Sequence, residues 1–332
     1  MNINKQKVVC ITGATGAIGP HVVFALFNAG YRVRTFSIDA APASMFPPDI
    51  EVVIGDVTDA VAVNSAMQGV DIVVHMAARL HVVNPPPEMR EEYERVNIGG
   101  TAIVVEAAIK KHVSRVILIS TIAVYGQSAG CVLSEKSITC PVSFYAQTKL
   151  AAEQIVLNAK GIDGRSLGTV LRLGAVYGTR IKGNYERLAR ALAHHRFVPV
   201  GKGLNRRTLV YDKDVARAVV LAVSHDAAAG RVFNVTDGEF PTINEIIESI
   251  CSALGRKPPR FSLPLGPTRI LVGIVETGIR CIGLKPRVTK AIIDKYTEDI
   301  AVDGSLIQTE LGFLPQYDLN VGWEDAIREM RP

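Results

Sequence analysis

The chain has 332 residues, of which 48% are hydrophobic and 21% charged, and this composition excludes disordered and collagen-like proteins. The length predicts one large domain or two closely joined domains. The formal net charge is +5, from 37 lysines and arginines against 32 acidic residues, and the basic residues are scattered rather than gathered in one run. This pattern disfavours a nucleic-acid partner and favours a small anionic ligand.

The spacing of the cysteines and the hydropathy of the chain indicate the cellular compartment of the protein. The five cysteines form neither a CxxC pair nor an even set, which predicts reduced thiols in the cytoplasm. No apolar signal core follows the amino terminus. The stretch from Ile270 to Leu284 is interrupted by Glu276 and Arg280 and is shorter than the roughly 20 residues of a bilayer span. We therefore expect a cytoplasmic protein with no membrane span.

Short β-branched segments alternate with helical patterns over the first 175 residues. Most of the strand-like segments are continuously apolar, as in parallel strands covered on both faces. The alternation predicts an α/β fold with a Rossmann-like, doubly wound parallel sheet. The predicted strands are Val8–Thr12, Arg32–Ser37, Val52–Ile54, Ile72–His75, Val116–Ser120 and Thr169–Arg172. The predicted helices are Ile18–Ala29, Ala60–Gln68, Glu88–Lys111 and Ser143–Ala159.

The pattern changes after Gly174. Helices are predicted at Tyr185–His194 and Asp212–Val223, and a strand at Arg231–Val235. Beyond Pro241 the chain is mainly helical, which predicts a smaller substrate-binding region near the carboxyl terminus. We expect two interleaved domains: an NAD(P)-binding Rossmann domain of residues 1–174 and 209–236, and a substrate-binding domain of residues 175–208 and 237–332.

Three glycines lie between the first predicted strand and the first helix, with the spacing GxxGxxG. Glycine at such positions lets the backbone turn tightly and approach a pyrophosphate. The free N–H groups of the following helix terminus attract phosphate. An ordinary strand-to-helix turn is the alternative. The residues expected to contact the dinucleotide are Gly13, Thr15, Gly16, Ala17, Ile18 and Gly19.

The end of the second predicted strand bears on the choice between NAD and NADP. Ser37 stands where an acidic residue would favour NAD, and no arginine directly follows it to bind a 2′-phosphate. A solvated turn explains Arg34 and Asp39 as well as a role at the adenosine ribose does. The sequence leaves both cofactors open. After the third predicted strand, Asp56 is a candidate acceptor for the adenine amino group and Asp59 a candidate helix cap.

A phenol and an ammonium group lie four residues apart on one face of a predicted helix, at Tyr145 and Lys149. The ordinary pKa of tyrosine is near 10, and a neighbouring cation is expected to lower it and make the phenol a usable base. Such pairs also occur by chance on helices. Thr121 ends the fifth predicted strand, at the edge where ligands bind in such sheets.

Together these features resemble the extended short-chain dehydrogenase/reductase family of NAD-dependent epimerases and dehydratases, in particular its nucleotide-sugar epimerase and 4-ketoreductase branch. The resemblance covers almost the whole chain. The matching motifs are Thr12–Gly19, Gly55-Asp56-Val57, His75-Met76-Ala77-Ala78, Val96 to Thr101, Ser120-Thr121, Val124-Tyr125-Gly126, Tyr145 with Lys149, Arg172 to Gly178, Arg207 to Tyr211 and Leu311-Gly312-Phe313.

The resemblance implies catalytic roles. Thr121 would steady the reacting oxygen, Tyr145 would act as acid and base, and Lys149 would bind the nicotinamide ribose and tune the tyrosine. Asn97 would support a water chain to the lysine, or be a buried amide that satisfies the backbone. His75 is expected to pack and to form structural hydrogen bonds. The residues implied beside the cofactor, apart from the glycine loop and Ser37, are Asp56, Val57, Ala77, Ala78, Tyr145 and Lys149.

The substrate implied is a nucleotide-sugar, most simply a UDP-sugar. Asn184 matches a uridine-contacting asparagine and Arg207 a pyrophosphate-binding arginine, although Arg206-Arg207 could be an exposed basic turn. Ile122-Ala123 replaces the acidic pair of the 4,6-dehydratases, which disfavours elimination of water. Ala175 replaces an asparagine of many UDP-sugar epimerases. His81 matches a motif of UDP-N-acetyl-sugar 4-reductases and favours an amino-sugar.

We therefore expect a nucleoside-diphosphate-sugar 4-epimerase or 4-ketoreductase that transfers hydride at sugar C4 with NAD or NADP. A 3β-hydroxysteroid dehydrogenase-like oxidoreductase and a non-catalytic dinucleotide-sensing regulator are the alternatives. The family also implies a homodimer formed by the helices Glu88–Lys111 and Ser143–Ala159. No metal is expected, since His194-His195 lacks the partner spacing of a metal site.

Overall fold

A seven-stranded parallel sheet forms the centre of the protein. The computed structural model describes residues 6–80, 82, 86, 88–286 and 289–330. The sheet order is β3-β2-β1-β4-β5-β6-β9, and a separate two-stranded sheet pairs β7 with β8. The strands are β1 Val8–Thr12, β2 Arg32–Ser37, β3 Glu51–Ile54, β4 Ile72–His75, β5 Arg115–Thr121, β6 Gly168–Leu173, β7 Ala175–Tyr177, β8 Leu209–Tyr211 and β9 Val232–Val235.

Helices cover both faces of the large sheet because its strands are apolar on both sides. Val9 and Ile11 of β1 pack with the first and seventh helices, whereas Cys10 packs on the opposite face. The helices are α1 Gly19–Asn28, α2 Ala60–Ala66, α3 Met89–Tyr93, α4 Thr101–Lys110, α5 Phe144–Asn158, α6 Asn184–Ala193, α7 Asp212–Ser224, α8 Ile243–Ala253, α9 Leu265–Cys281, α10 Lys290–Thr297, α11 Ser305–Leu311 and α12 Leu319–Met330.

The predicted doubly wound parallel sheet is confirmed, and most element bounds agree within two residues. The predicted helix Glu88–Lys111 differs, because a π-helical segment, Glu94–Gly100, separates α3 from α4. At its end Gly100 lies against Val57, where a Cβ atom would come within 2.9 Å of the valine side chain. The pattern missed β7 and β8, which have three residues each and carry no readable period.

The carboxyl-terminal region is mainly helical, as predicted. Trp323 lies on the twelfth helix and packs in one cluster with residues of the sixth and eighth helices. Its ring stacks on Tyr177 at 4.8 Å between centroids. Tyr177 belongs to β7, in the predicted substrate-binding region, whereas its partner strand β8 lies in the predicted Rossmann region. The small sheet therefore joins the two regions directly.

The connections of the sheet reverse direction between β1 and β4. From β1 the chain moves outward to β2 and β3, and it then returns to β4, which pairs with the other side of β1. Loops that leave the carboxyl ends of β1 and β4 therefore diverge, and in such sheets the resulting crevice holds the ligand.

We expect Gly168→Ala to lower the free energy of unfolding by about 3 kcal/mol, because overpacking against backbone has a cost of this order. A Cβ atom at Gly168 would lie 2.1 Å from the carbonyl oxygen of Val156 on α5. Gly266→Ala is the matched control, since its Cβ meets open space on α9. Urea denaturation measures both variants, and equal stability of the two would contradict the assigned contact of α5 with β6.

Candidate active site

The glycine loop turns beneath the end of the fourth strand. Gly13 has φ of +71°, and a Cβ atom there would come within 2.8 Å of the backbone of Ala77. Its N–H donates to the carbonyl oxygen of Phe36 at 2.8 Å. The helix α1 that follows begins at Gly19 without a side-chain cap, and Gly19 N–H donates to the carbonyl oxygen of Gly16 at 3.1 Å. The loop thus brings bare backbone and a helix amino terminus together, as a pyrophosphate requires.

The residues around the predicted adenosine site differ in their hydrogen-bond partners. Ser37 is buried, and its hydroxyl accepts from Thr15 N at 3.3 Å, which ties it to the glycine loop. Asp56 Oδ1 accepts from Thr58 N at 2.9 Å, and its Oδ2 lies 3.8 Å from Arg95 Nη1. Arg34 is not part of a solvated turn, because its guanidinium binds the carbonyl oxygen of Ala66 at 2.7 Å. The predicted cap is confirmed: Asp59 accepts from two N–H groups of α2.

His75 links the glycine loop to the fourth helix. Thr101 Oγ1 donates to the carbonyl oxygen of Asn97 at 2.6 Å, so it can only accept from His75 Nε2, at 3.0 Å. His75 Nδ1 then accepts from the hydroxyl of Thr12, at 2.7 Å. Burial, and then the nearby charge of Lys149, lower the pKa of His75 to about 3. The ring is therefore a neutral structural bridge, in agreement with its expected role.

Asn97 uses its amide on backbone and side-chain partners. Its Oδ1 accepts from Arg79 N at 2.7 Å, and its Nδ2 donates to Arg79 O at 3.2 Å and to Thr148 Oγ1 at 3.0 Å. Thr148 Oγ1 in turn donates to Tyr145 O at 2.9 Å. Asn97 thus holds the segment after β4 against the first turn of α5.

Tyr145 and Lys149 lie on α5, whose first turn is capped by Ser143. The ring of Tyr93 meets that of Tyr145 edge-on, at 6.3 Å between centroids. Burial, and then Tyr93, raise the pKa of Tyr145 to about 12. Burial also lowers the pKa of Lys149 to about 8, partly offset by the charge of Glu153. The pKa of Tyr145 is thus raised and not lowered as expected, because desolvation of the phenol dominates.

A buried polar network that the sequence analysis missed lies beneath this pair. Glu153, fully buried one turn beyond Lys149, accepts from Ser120 Oγ at 2.5 Å and from Arg172 Nη2 at 2.6 Å. Arg172 Nη1 also donates to Tyr125 OH at 2.8 Å. The signal was present in the order Tyr-xxx-Lys-xxx-Glu, because a carboxylate on the inner face of a helix needs a buried partner.

Thr121 ends β5 directly after Ser120 of this network. It remains partly exposed, and its hydroxyl accepts from Ala123 N at 3.1 Å, which caps a 3₁₀ turn, Ile122–Tyr125. The oxygen can still donate its hydrogen to a ligand. Ala77 and Ala78 are partly exposed after β4, and Val57 is buried against Gly100.

The residues predicted to bind substrate have different environments. Asn184 is exposed in the first turn of α6. Arg207 is buried; its Nη2 donates to the carbonyl oxygens of Lys295 and Tyr296 at the end of α10, and its Nη1 lies 3.8 Å from Glu298 Oε2. Arg207 is therefore not part of an exposed basic turn. The preceding Arg206 forms its own ion pair with Asp299, and His81 lies outside the described residues.

A buried carboxyl group stands at the carboxyl edge of the sheet just past β9. Asp237 Oδ1 accepts from Glu239 N at 3.1 Å, and its Oδ2 is buried without a hydrogen-bond partner in the described part of the chain. Burial, and to a smaller extent Glu239 and Asp214, raise the pKa of Asp237 to about 7. The residue could have been found by the reasoning applied to Thr121, because it follows a predicted strand at the same edge.

The crevice fits a nicotinamide dinucleotide, because the glycine loop approaches the backbone after β4 closely and α1 begins there without a side-chain cap. Within the described ranges no three His, Cys, Asp or Glu side chains are grouped to hold a metal ion.

Comparison with known proteins identifies the family. The profile of the NAD dependent epimerase/dehydratase family matches residues 9–236, and the chain belongs to that family. A UDP-glucose 4-epimerase of Vibrio cholerae is 28% identical over 96% of this chain and 94% of its own length. The structure of MoeE5 in complex with UDP-glucose and NAD has 27% identity and a TM-score of 0.77, with 97% of this chain and 98% of that chain covered.

A relative of another substrate class is similar over a shorter length. The 3 beta-hydroxysteroid dehydrogenase/Delta 5-->4-isomerase of Mycobacterium tuberculosis is 28% identical over 77% of this chain and 71% of its own length. The predicted resemblance to the extended short-chain dehydrogenase/reductase family is confirmed, as is the predicted class of cofactor, because the family is NAD-dependent.

We expect Lys149→Met to raise the free energy of unfolding at pH 7. The fall in the pKa of Lys149 from its ordinary 10.5 to about 8 corresponds to roughly 3 kcal/mol. The unfolded chain binds this proton more tightly than the folded protein does. The cost is therefore fully present below pH 8 and disappears as the pH rises toward 10.5.

Urea denaturation at pH 7 and pH 10.5 tests this expectation, with the gain shrinking at the higher pH. Lys110→Met, at an exposed position on α4, is the matched control and should show no gain. If Lys149→Met were less stable than wild type at pH 7, the prediction would be contradicted. The charged ammonium would then be stabilised by its surroundings in the folded protein.

Proposed function

We propose that this protein is a nucleoside-diphosphate-sugar 4-epimerase or 4-ketoreductase that uses Tyr145 as its acid and base. The observation that carries the proposal is the position of α5. Asn97 hydrogen-bonds both Thr148 of α5, at 3.0 Å, and the backbone of Arg79 after β4, at 2.7 and 3.2 Å. The helix that carries the phenol therefore stands over the crevice that fits the dinucleotide.

The chain's own groups would handle the proton of the sugar hydroxyl. Bound nicotinamide supplies the hydride acceptor and donor. Tyr145 Oη would take the proton from the 4-hydroxyl and return it to the 4-keto oxygen, while the Thr121 hydroxyl hydrogen-bonds the same oxygen. The phenol is protonated at neutral pH, and burial raises its pKa further, to about 12, which suits the acid step. The base step needs positive charge close to Tyr145 when ligands are bound.

Dehydratase chemistry finds little support. Ile122, which follows Thr121, is buried. The backbone N–H of Ala123 donates to Thr121 Oγ1 in the 3₁₀ turn. The acidic pair that eliminates water would occupy these two positions. An epimerase rotates the keto-sugar in the site, and a ketoreductase exchanges the cofactor. Hydride transfer in either reaction needs only Thr121, Tyr145 and Lys149.

A diphosphate-linked substrate is favoured over a steroid. The UDP-glucose 4-epimerase is matched over 94% of its length, whereas the steroid dehydrogenase is matched over 71%. The substrate region of this chain also carries Arg207, whose fork could bind phosphate oxygens with the donors that α10 does not use. An apolar steroid offers no acceptor for the donors of Arg207 that the end of α10 leaves unused.

We expect Tyr145→Phe to lower kcat by about 10² to 10⁴, the usual contribution of a general acid and base, and to change NAD affinity by less than about threefold. Tyr93→Phe is the matched control. It keeps the edge-on ring and loses only the hydroxyl contacts with Leu80 and Val82. Steady-state kinetics with UDP-glucose and UDP-N-acetylglucosamine measure the effect.

Retention of more than a tenth of wild-type turnover in Tyr145→Phe would show that another group moves the proton. Absence of turnover in the wild type with either sugar, despite bound dinucleotide, would favour the regulator alternative. Conversion without added reductant indicates an epimerase, and stoichiometric consumption of NADH or NADPH indicates a ketoreductase.

We expect Arg207→Ala to weaken binding of UDP by about 10- to 150-fold, because a charge-assisted hydrogen bond contributes about 1.5–3 kcal/mol. Arg207→Lys should recover part of the affinity, since an ammonium lacks the planar fork. Calorimetry with UDP measures both variants, and circular dichroism checks that the end of α10 stays folded.

Arg206→Ala is the control for loss of one positive charge, because its guanidinium is held by Asp299. It should bind UDP within about twofold of wild type. Unchanged affinity in Arg207→Ala, or no UDP binding by the wild type, would contradict the nucleotide-sugar proposal and favour a steroid-like substrate.

A further inference from the structure

The ninth helix turns an apolar face away from the protein. Of the residues of α9, which are all described, Gly273 is the buried one. Four large apolar side chains are strongly exposed: Ile270 is 65% exposed, Leu271 61%, Ile274 66% and Val275 48%. Exposed apolar patches of this kind mark interaction sites.

The polar side of the same helix is already occupied. Gly273 lies under the side chain of Lys290 on α10. Glu276 Oε2 accepts from Lys290 N at 2.9 Å, and Arg269 pairs with Asp294 at 2.7 Å. The charged side of α9 therefore faces α10, and the apolar side faces outward.

Helical spacing collects the exposed residues on one face. At 100° per residue they fall within an arc of about 140°, which contains no charged residue. We call this the outer face of α9; it consists of Ile270, Leu271, Ile274, Val275, Gly278 and Ile282. Phe261, 84% exposed, and Leu284, 61% exposed, extend it at its two ends.

Basic residues are concentrated in the sequence segment that contains this face, which corrects the expectation that they are scattered. Residues 255–290 contain eight lysines and arginines and one acidic residue, a net charge of +7 in a chain whose total is +5. The rest of the chain is therefore slightly acidic, at −2. Lys257 and Arg260 precede the helix, and Lys285 follows it, all of them exposed.

We propose that the outer face of α9 docks this protein on an anionic membrane surface, with the helix lying along the interface. Apolar side chains would enter the headgroup boundary while the flanking lysines and arginines contact lipid phosphates. No helix in the described part of the chain is long and apolar enough to cross a bilayer. A helix of 17 residues lying flat would extend over about 26 Å.

Charge argues against a second copy as the occupant. Two outer faces brought together would oppose two segments of net charge +7, which is unfavourable at close range. An anionic bilayer satisfies both the apolar and the basic parts of the surface. The tenth helix, which holds α9, ends at the carbonyl oxygens bound by Arg207, so the docking surface and the substrate region share one element.

Flotation of the full-length protein with phospholipid vesicles tests the proposal without any substrate. We expect at least about tenfold stronger binding to phosphatidylcholine vesicles with about 30% phosphatidylglycerol than to pure phosphatidylcholine. Raising the salt from about 50 mM to about 500 mM should weaken it. Ile270→Asp with Ile274→Asp should reduce binding at least tenfold, and so should charge reversal by Lys257→Glu, Arg260→Glu and Lys285→Glu together.

The matched control is Val61→Asp with Ile162→Asp, at positions 80% and 76% exposed on other surfaces. It should float like the wild type. All these positions are exposed, so thermal denaturation should show folded variants. Equal binding to neutral vesicles, or unchanged flotation of the Ile270 and Ile274 variant, would overturn the proposal. No flotation at all would overturn it in favour of a protein partner, and a dimer that this variant dissociates would assign the face to a second copy.

Discussion

The ion pair between Glu153 and Arg172 is the interaction on which the catalytic end of the sheet depends. Both side chains are buried, with Arg172 Nη2 donating to Glu153 Oε2 at 2.6 Å. The pair joins α5 to β6, while Ser120 adds β5 and Tyr125 connects the network to Asn234 on β9. Burial of two charges has a large desolvation cost, so removal of either partner would leave the other uncompensated. The network therefore holds the register between α5 and three strands.

The position of Lys149 follows from that register. Lys149 lies one turn before Glu153 and faces the ends of β4 and β1 rather than solvent. There the neutral ring of His75 bridges Thr12 and Thr101. A structural histidine at this place keeps a second positive charge away from Lys149. The glycine loop and the fourth helix are thus connected through His75 by hydrogen bonds rather than by apolar packing alone.

Sequence reasoning succeeded where a local rule determines the structure. Continuous apolar segments identified the parallel strands, and the glycine spacing identified the loop at the reversal of the sheet. It failed where the partner is distant in the chain. Arg207 binds carbonyl oxygens 88 and 89 residues away, and Tyr93 meets Tyr145 across a π-helical segment. No local pattern encodes such contacts, and the pKa of Tyr145 depends on one of them.

Desolvation raises the pKa of Tyr145 and lowers the pKa of Lys149, and both shifts have the same chemical consequence. Burial raises the pKa of Tyr145 to about 12 and lowers that of Lys149 to about 8, so both shifts favour uncharged side chains. Burial therefore disfavours the phenolate that the proposed base step requires. Positive charge close to Tyr145 lowers its pKa, and by linkage a group that carries such charge binds more tightly to the phenolate form than to the phenol.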